Sequence, residues 1–267
     1  MPRNAGRVQA TPQEGDTPPK AELNFITPCE FVELPSQGRF YPADHPLHNQ
    51  ETVEIKHMTA KEEDILTSQS LIKKGLVFER LLDSVILTKG VNVSELLSGD
   101  RTAIIIEARK SGYGDVYKTS TVCPVCAAHN EQEHDLNNTR MNDWESYCDD
   151  NGIAVEEGLF KFSLPATGYE VAIKPLIGVH ELKIAKTKES TLITEMNQYV
   201  ASINGETDRN VLRKAIESLP ARDAKFIRRH VKLMLPNISL KHEFECTSCG
   251  FDTEMEVKIN PDFFWFE

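Results

Sequence analysis

Two short cysteine pairs constrain this sequence more than any other feature. Cys123 and Cys126 form one C-x-x-C motif, and Cys246 and Cys249 form a second in the other half of the chain. Two thiolates cannot complete the tetrahedral coordination of a structural zinc ion, whereas four can. Ribbon-type zinc sites usually have their second pair within about 15–20 residues of the first. One zinc shared by all four cysteines therefore requires the two halves to fold together.

Other uses of the two motifs are open at the level of sequence. The pairs can be reduced thiols without a metal, or each pair can bind a metal together with a second copy of the chain. They can also be redox-active, but such thiols usually gain a low pKa at a helix N-terminus, and these motifs are flanked by strand-like sequence. The two remaining cysteines, Cys29 and Cys148, are predicted to be free thiols.

Self-similarity around the motifs predicts an internal duplication. Three segments of the first half recur in the same order in the second half. They are Leu34–Gly38 with Leu164–Gly168, Val53–Lys56 with Val171–Lys174, and Cys123–Cys126 with Cys246–Cys249. Short matches also arise by chance, so repeated turn chemistry within one irregular domain is the alternative.

The expected fold is therefore α+β, with two tandem pseudo-repeats around a pseudo-twofold axis and a shared four-cysteine zinc site. Each repeat would contain a β-hairpin with a Leu-Pro-x-x-Gly turn and a small helical bundle. It would end with two strands joined by a knuckle, the tight turn that carries the C-x-x-C motif. The predicted domains are a disordered N-terminal tail (1–27), repeat 1 (28–137), an acidic linker (138–158), repeat 2 (159–260) and an aromatic C-terminal tail (261–267).

Local signals predict where several helices begin. Thr59 can cap a helix, and Glu62, three residues later, can complete a capping box. In the second half we expect a helix over roughly residues 179–200. Pro220 suits the first turn of a further helix, because its missing N–H and fixed φ cost nothing there.

Composition excludes several classes of protein. No apolar run approaches the ~20 residues that a membrane-spanning helix needs. The first twenty residues contain four prolines and no apolar stretch, which argues against a secretory signal. The formal charge of −11 argues against a general binder of phosphate backbones. We therefore expect a protein of a reducing cytosol, where cysteines serve as metal ligands or stay free.

A basic stripe is the first candidate for a partner-binding surface. Four cations recur at helical spacing in the second half: Arg222, Lys225, Arg229 and Lys232. The stripe is either a solvated helix face or a docking face for an acidic partner surface. Nucleic acid is the less favoured partner because the chain as a whole is acidic.

The aromatic end of the chain is the second candidate. Its four consecutive aromatic residues are Phe263, Phe264, Trp265 and Phe266. Left in water they would form an adhesive patch. They can cover the core of the chain itself, or they can anchor a partner as aromatic hot spots do.

Four segments of the first half form a recognisable set: Leu34–Pro42, Val53–Lys56, Thr59–Leu66 and Cys123–Cys126. Together they resemble a known family, the T-even-type baseplate proteins of contractile-tailed phages. The resemblance covers most of residues 31–137, with a weaker echo over 160–260. Members are usually hub or hub-assembly proteins. The resemblance implies a non-enzymatic structural or assembly protein, without catalytic residues, that contacts other baseplate and tail proteins.

The resemblance also implies a location in the tail baseplate of the virion after assembly in the host cytoplasm. The expected cofactor is one structural zinc ion per chain, and the oligomeric state is left open. The alternative function is that of a zinc-ribbon phage regulator that binds nucleic acid. The first motif argues against it, because its neighbours Thr121, Val122, Ala127 and Ala128 supply neither cations nor stacking aromatics.

Overall fold

The computed structural model describes residues 26–180, 191–256, 259 and 261–264. The fold is α+β, as predicted. The first half contains β1 (Cys29–Glu33), β2 (Thr52–Lys56), α1 (Ala60–Thr67), α2 (Gln69–Lys74), α3 (Val77–Val85), α4 (Ser98–Tyr113), β3 (Val116–Val122) and β4 (His129–Asp135). The predicted N-terminal tail lies almost entirely outside the described residues.

The second half begins with short elements and ends with the second knuckle. It contains β5 (Arg140–Met141), α5 (Trp144–Asp150), β6 (Ala154–Glu156), β7 (Leu159–Ser163), β8 (Glu170–Ile173), α6 (Leu192–Tyr199), β9 (Val200–Ile203), α7 (Arg209–Ser218), α8 (Ala221–Met234), β10 (Ile238–Ser239), β11 (Lys241–Glu245) and β12 (Asp252–Glu256). Every strand pairing among these is antiparallel. The pairs β1–β2, β3–β4, β5–β10 and β11–β12 are two-stranded, and β6-β7-β8-β9 is a four-stranded sheet.

Both Leu-Pro-x-x-Gly segments form turns at the start of hairpin connections. Leu34 follows β1 and Leu164 follows β7, and each side chain is only 2% exposed. Gly38 and Gly168 close the two turns with φ angles of 71° and 70°, a region that favours glycine. At Gly38 a side chain is also sterically excluded, because a Cβ atom would lie 2.3 Å from the carbonyl oxygen of Leu47.

A buried carboxylate in the first turn of a helix holds each of these turns. Asp100, the third residue of α4, accepts hydrogen bonds from the backbone N–H of Ser36 at 3.0 Å and from its hydroxyl at 2.6 Å. Asp223, the third residue of α8, accepts from the N–H groups of Ala166 at 2.8 Å and Thr167 at 3.0 Å. Both carboxylates also lie where the helix macrodipole favours an anion. Sequence reasoning did not find either contact.

Two large cores result, and one side chain packs against both. The first core lies between the β1–β2 hairpin and helices α3 and α4. The second core lies between the four-stranded sheet and helices α7 and α8. Phe40, in the long loop between β1 and β2, contacts both. Its ring centroid is 5.0 Å from that of Phe160 and 5.2 Å from that of Trp144.

The segment predicted to be an acidic linker, 138–158, is folded against the second core. Trp144, Cys148 and Ile153 are each buried in that core, and β6 forms one edge of the four-stranded sheet. Five of its six acidic residues are exposed, and the sixth, Glu145, is half-buried. The second half therefore has a larger sheet than the single hairpin expected, while the predicted domain boundaries stay a prediction.

The helix expected over residues 179–200 ends differently from the prediction. Residues 178–180 are helical, and 181–190 lie outside the described residues. Thr191 then caps α6 by accepting a hydrogen bond from the N–H of Thr194 at 3.2 Å. Val200 already belongs to strand β9. Thr191 accounts for the start of α6, because threonine is a favoured N-cap residue. Val200 accounts for its end, because β-branched residues favour strands.

The capping box predicted at Thr59 and Glu62 is confirmed, and Glu62 has a second role. Its side chain is fully buried and accepts hydrogen bonds from Lys56 Nζ at 2.6 Å and Ser84 Oγ at 2.5 Å. Burial by itself raises the pKa of Glu62, but the hydrogen bonds from Lys56, Ser84 and Thr59 outweigh it and lower the pKa to about 2. The ionised carboxylate thus ties α1 to β2 and α3.

Replacing Glu62 with Gln should destabilise the fold by about 2 kcal/mol at neutral pH, because charge-assisted hydrogen bonds are lost. Since folding depresses the pKa of Glu62 from its ordinary 4.5, this stabilisation is complete above pH 4.5 and declines as the pH falls toward 2. Urea unfolding at several pH values measures the difference. Glu63→Gln, at an exposed neighbouring position, is the matched control. An equal loss in both variants would contradict the role given to Glu62.

Candidate metal centre

Each C-x-x-C motif forms the turn of a β-hairpin, the first between β3 and β4 and the second between β11 and β12. The two turns have the same backbone hydrogen bonds. The N–H of Cys123 donates to the carbonyl of Ala128 at 2.9 Å, and the N–H of Cys246 donates to that of Phe251 at 2.8 Å. Each first cysteine is buried, while Cys126 and Cys249 are exposed.

The four sulfur atoms converge between the two hairpins. The Sγ atoms of Cys123 and Cys249 are 3.7 Å apart, and those of Cys126 and Cys246 are 3.6 Å apart. All four lie within 4.8 Å of one another. Sulfur atoms about 2.3 Å from a central ion in a tetrahedron are roughly 3.8 Å apart. The four thiols therefore have the spacing of a tetrahedral four-thiolate metal site, with two ligands from each half.

The electrostatics of the cluster also favour a cation. The backbone N–H of Cys249 lowers the pKa of the Cys246 thiol to about 6. The N–H of Phe251 lowers the pKa of Cys249, but partial desolvation and the adjacent thiols outweigh it and raise that pKa to about 12. The cluster thus favours the thiolate form at Cys246 and the thiol form at Cys249. A divalent cation would supply the charge that allows all four sulfurs to ionise together.

Asn130 joins the two knuckles beside the sulfur atoms, and sequence reasoning missed it. It is 2% exposed. Its amide nitrogen donates to Cys246 Sγ at 3.6 Å, and its amide oxygen accepts from the N–H and the hydroxyl of Thr247, both at 2.9 Å. The strand alternation of β4 places Asn130 on the same face as Gln132 and His134. The sequence signal for this role was an amide side chain, Asn130, four residues after Cys126.

Apolar packing around the sulfurs is sparse. Among the described residues, the buried apolar cluster between the hairpins consists of Cys123, Phe244 and Cys246, with Ala128, Phe251 and Met255 partly buried around it. Farther along the strands, the rings of His134 and His242 are 3.8 Å apart between centroids. Small units with so little apolar burial usually need a disulfide or a metal to fold.

The predicted basic stripe lies on the exposed face of α8. All four of its side chains face solvent: Arg222, Lys225, Arg229 and Lys232. The opposite face of the helix is buried through Asp223, Ile227, His230 and Met234. Within the described residues, no carboxylate lies within 4.0 Å of any of the four cations.

The described part of the aromatic tail covers the protein's own core. Phe263 and Phe264 are 0% and 2% exposed and belong to the first core. The ring of Phe263 is 4.8 Å from that of Tyr117, and Arg109 Nε donates to the carbonyl of Phe263 at 3.1 Å. These two side chains are therefore not available to a partner. Trp265 and Phe266, the other half of the predicted anchor, lie outside the described residues.

Comparison with known protein families identifies the family to which the chain belongs. A family model described as T4 bacteriophage base plate protein matches residues 29–265. The chain belongs to the T4 baseplate protein family. The match extends the resemblance seen in residues 31–137 through the second half, and it includes both cysteine motifs. No curated protein and no solved structure matches the chain.

Membership of this family indicates the general function of the protein. A T4-type baseplate protein is a structural protein of the phage tail, located in the virion baseplate and in contact with other tail proteins. Among the described residues, no helix combines the length and apolar character that crossing a membrane requires.

Proposed function

We propose that this T4 baseplate family protein is a non-enzymatic structural or assembly component whose fold is held by one zinc ion. The ligands would be Cys123, Cys126, Cys246 and Cys249. The observation that carries the proposal is the convergence of four sulfur atoms, two from each half, at the spacing of a tetrahedral site. Assembly in the reducing host cytoplasm would keep all four thiols available for the metal.

Zinc suits this donor set better than hard divalent metals do. Soft thiolate ligands in a tetrahedron favour zinc over magnesium, calcium or manganese, which prefer oxygen ligands. Four protein ligands also fill the coordination sphere, whereas catalytic zinc sites keep one position open for water or substrate. The site would therefore link the two halves of the chain mechanically and would not perform a reaction.

The same proposal includes an internal duplication with a pseudo-twofold relation between the halves, residues 28–137 and 159–260. Three matched features support it. Both halves have a hairpin with the Leu-Pro-x-x-Gly turn, a first-turn carboxylate that holds this turn, and a knuckle with the same hydrogen bonds. Asp100 and Asp223 are separated by the same number of residues as Cys123 and Cys246.

The regulatory alternative, a zinc-ribbon protein that binds nucleic acid, has less support. The outward positions of β4 carry Glu131, Glu133 and Asp135. Glu133 pairs with Lys118 of β3 at 3.1 Å, and the two other carboxylates would repel a phosphate backbone at the knuckle, where ribbon-type binders need cations.

Metal analysis of reduced protein purified without chelators tests the proposal. We expect about one zinc per chain, retained in the control variants Cys29→Ser and Cys148→Ser because neither thiol belongs to the cluster. Cys126→Ser should bind zinc far more weakly. Protein without zinc would contradict the proposal, and two zinc ions per chain would show that each pair binds with a second copy.

A further inference from the structure

Helices α7 and α8 concentrate positive charge in an acidic protein. Residues 209–234 hold eight Lys and Arg against two Asp and Glu, while the whole chain carries −11. The four exposed cations of α8 lie at i, i+3, i+7 and i+10, which places them in one row roughly 15 Å long. Like charges at this spacing destabilise a helix. Within the part of the chain that the structure describes, no carboxylate forms an ion pair with this unfavourable row.

The second knuckle hairpin, formed by β11 and β12, concentrates negative charge on its outward face. The outward face of β11 and β12 carries four exposed carboxylates: Glu243, Glu245, Asp252 and Glu254. The strand register pairs Glu243 with Glu254 and Glu245 with Asp252, and like charges directly opposite each other are unfavourable. The cation Lys241 lies 2.9 Å from Glu254 on this face. Among the described side chains of the face, negative charge therefore remains in excess.

We propose that these two surfaces bind each other between two copies of the chain. The basic face of α8 (Arg222, Lys225, Arg229 and Lys232) on one copy would contact the acidic face of the β11–β12 hairpin (Glu243, Glu245, Asp252 and Glu254) on another. Opposite charges would meet across the contact, so it relieves like-charge repulsion on both sides. The proposal deepens the proposed function, since it names the chain itself as one partner within the assembly.

Rigidity of both surfaces supports this contact. On its buried side, α8 is fixed by the Asp223 hydrogen bonds to the 164–168 turn and by His230, whose Nδ1 lies 2.8 Å from the Tyr147 hydroxyl. The proposed zinc ion would fix the hairpin at its turn. Because neither backbone has to reorganise, association costs little ordering entropy beyond that of the charged side chains.

Sedimentation velocity of the zinc-loaded full chain tests the proposal. We expect wild-type protein to self-associate at low salt and to dissociate as NaCl rises from about 0.1 M to about 1 M, where the Debye length falls from about 10 Å to about 3 Å. Lys225→Glu/Arg229→Glu and Glu243→Lys/Glu254→Lys should each weaken association by roughly tenfold or more. Mixing the two variants should restore it, because each reversed face then meets a complementary one.

The control is Lys61→Glu/Lys89→Glu, which changes the net charge by the same amount and sign as Lys225→Glu/Arg229→Glu, at exposed positions outside both faces. It should associate like wild type. A wild-type chain that stays monomeric at low salt, or equal losses in the control and the test variants, would overturn the proposal. So would a monomer whose basic face binds duplex DNA. Zinc content measured on the same samples separates this result from failure of the metal site, because the association can fail with zinc bound.

Discussion

Cys123→Ser is expected to lose its zinc and to melt well below the wild-type protein. Metal binding to a structural site is coupled to folding and contributes its binding free energy to stability. Cys123 is 1% exposed, so the variant also buries a hydroxyl beside the remaining sulfurs. A loss on the order of 5 kcal/mol corresponds to a fall in Tm of roughly 10–20 °C for a chain of this size. Calorimetry with and without a chelator measures both quantities.

The damage should begin at the two knuckle hairpins. Little apolar surface is buried between them. The two large cores, in contrast, contain none of the four clustered cysteines. Limited proteolysis of the variant should therefore cut first within β3–β4 and β11–β12. Cys29→Ser, at an exposed strand position, is the control and should melt like wild type. Wild-type melting of Cys123→Ser, unchanged by chelator, would show that the site does not stabilise the fold.

Phe263→Ala is expected to destabilise the protein by about 3–5 kcal/mol, the usual result of removing a buried aromatic ring. The side chain is 0% exposed and packs against Tyr117 and Phe264. Phe31→Ala removes the same ring at a position that is 69% exposed, so it should change stability by less than about 0.5 kcal/mol. Urea unfolding of both variants measures the difference.

This comparison also decides between the two roles expected for the aromatic end of the chain. A core role predicts lower stability for Phe263→Ala in the isolated protein. A role confined to partner binding predicts unchanged unfolding together with failure to enter baseplates, and that result would contradict the packing of Phe263 in the first core. In Phe263→Ala we also expect a weaker hydrogen bond from Arg109 to the carbonyl of residue 263, because the ring no longer holds this backbone in place.

The sequence alone was sufficient for features that depend on near neighbours. The Thr59–Glu62 capping box involves residues three positions apart, and each Leu-Pro-x-x-Gly turn spans five residues. The knuckles likewise need only the cysteines and their flanking strands. Such features follow from local backbone geometry and hydrogen bonding. The cysteine pattern also predicted which four thiols lie together, while their role as metal ligands stays a proposal.

Only the tertiary structure decided what depends on contacts between distant segments. It brought Cys123 to within 3.7 Å of Cys249, and it placed Asn130 between the knuckles. It also gave Asp100 and Asp223 their roles as turn-holding carboxylates, and it buried Phe263 in the first core. Burial depends on how much apolar surface each fold element leaves uncovered once all of them have packed. That quantity is a property of the whole chain, so no local pattern contains it.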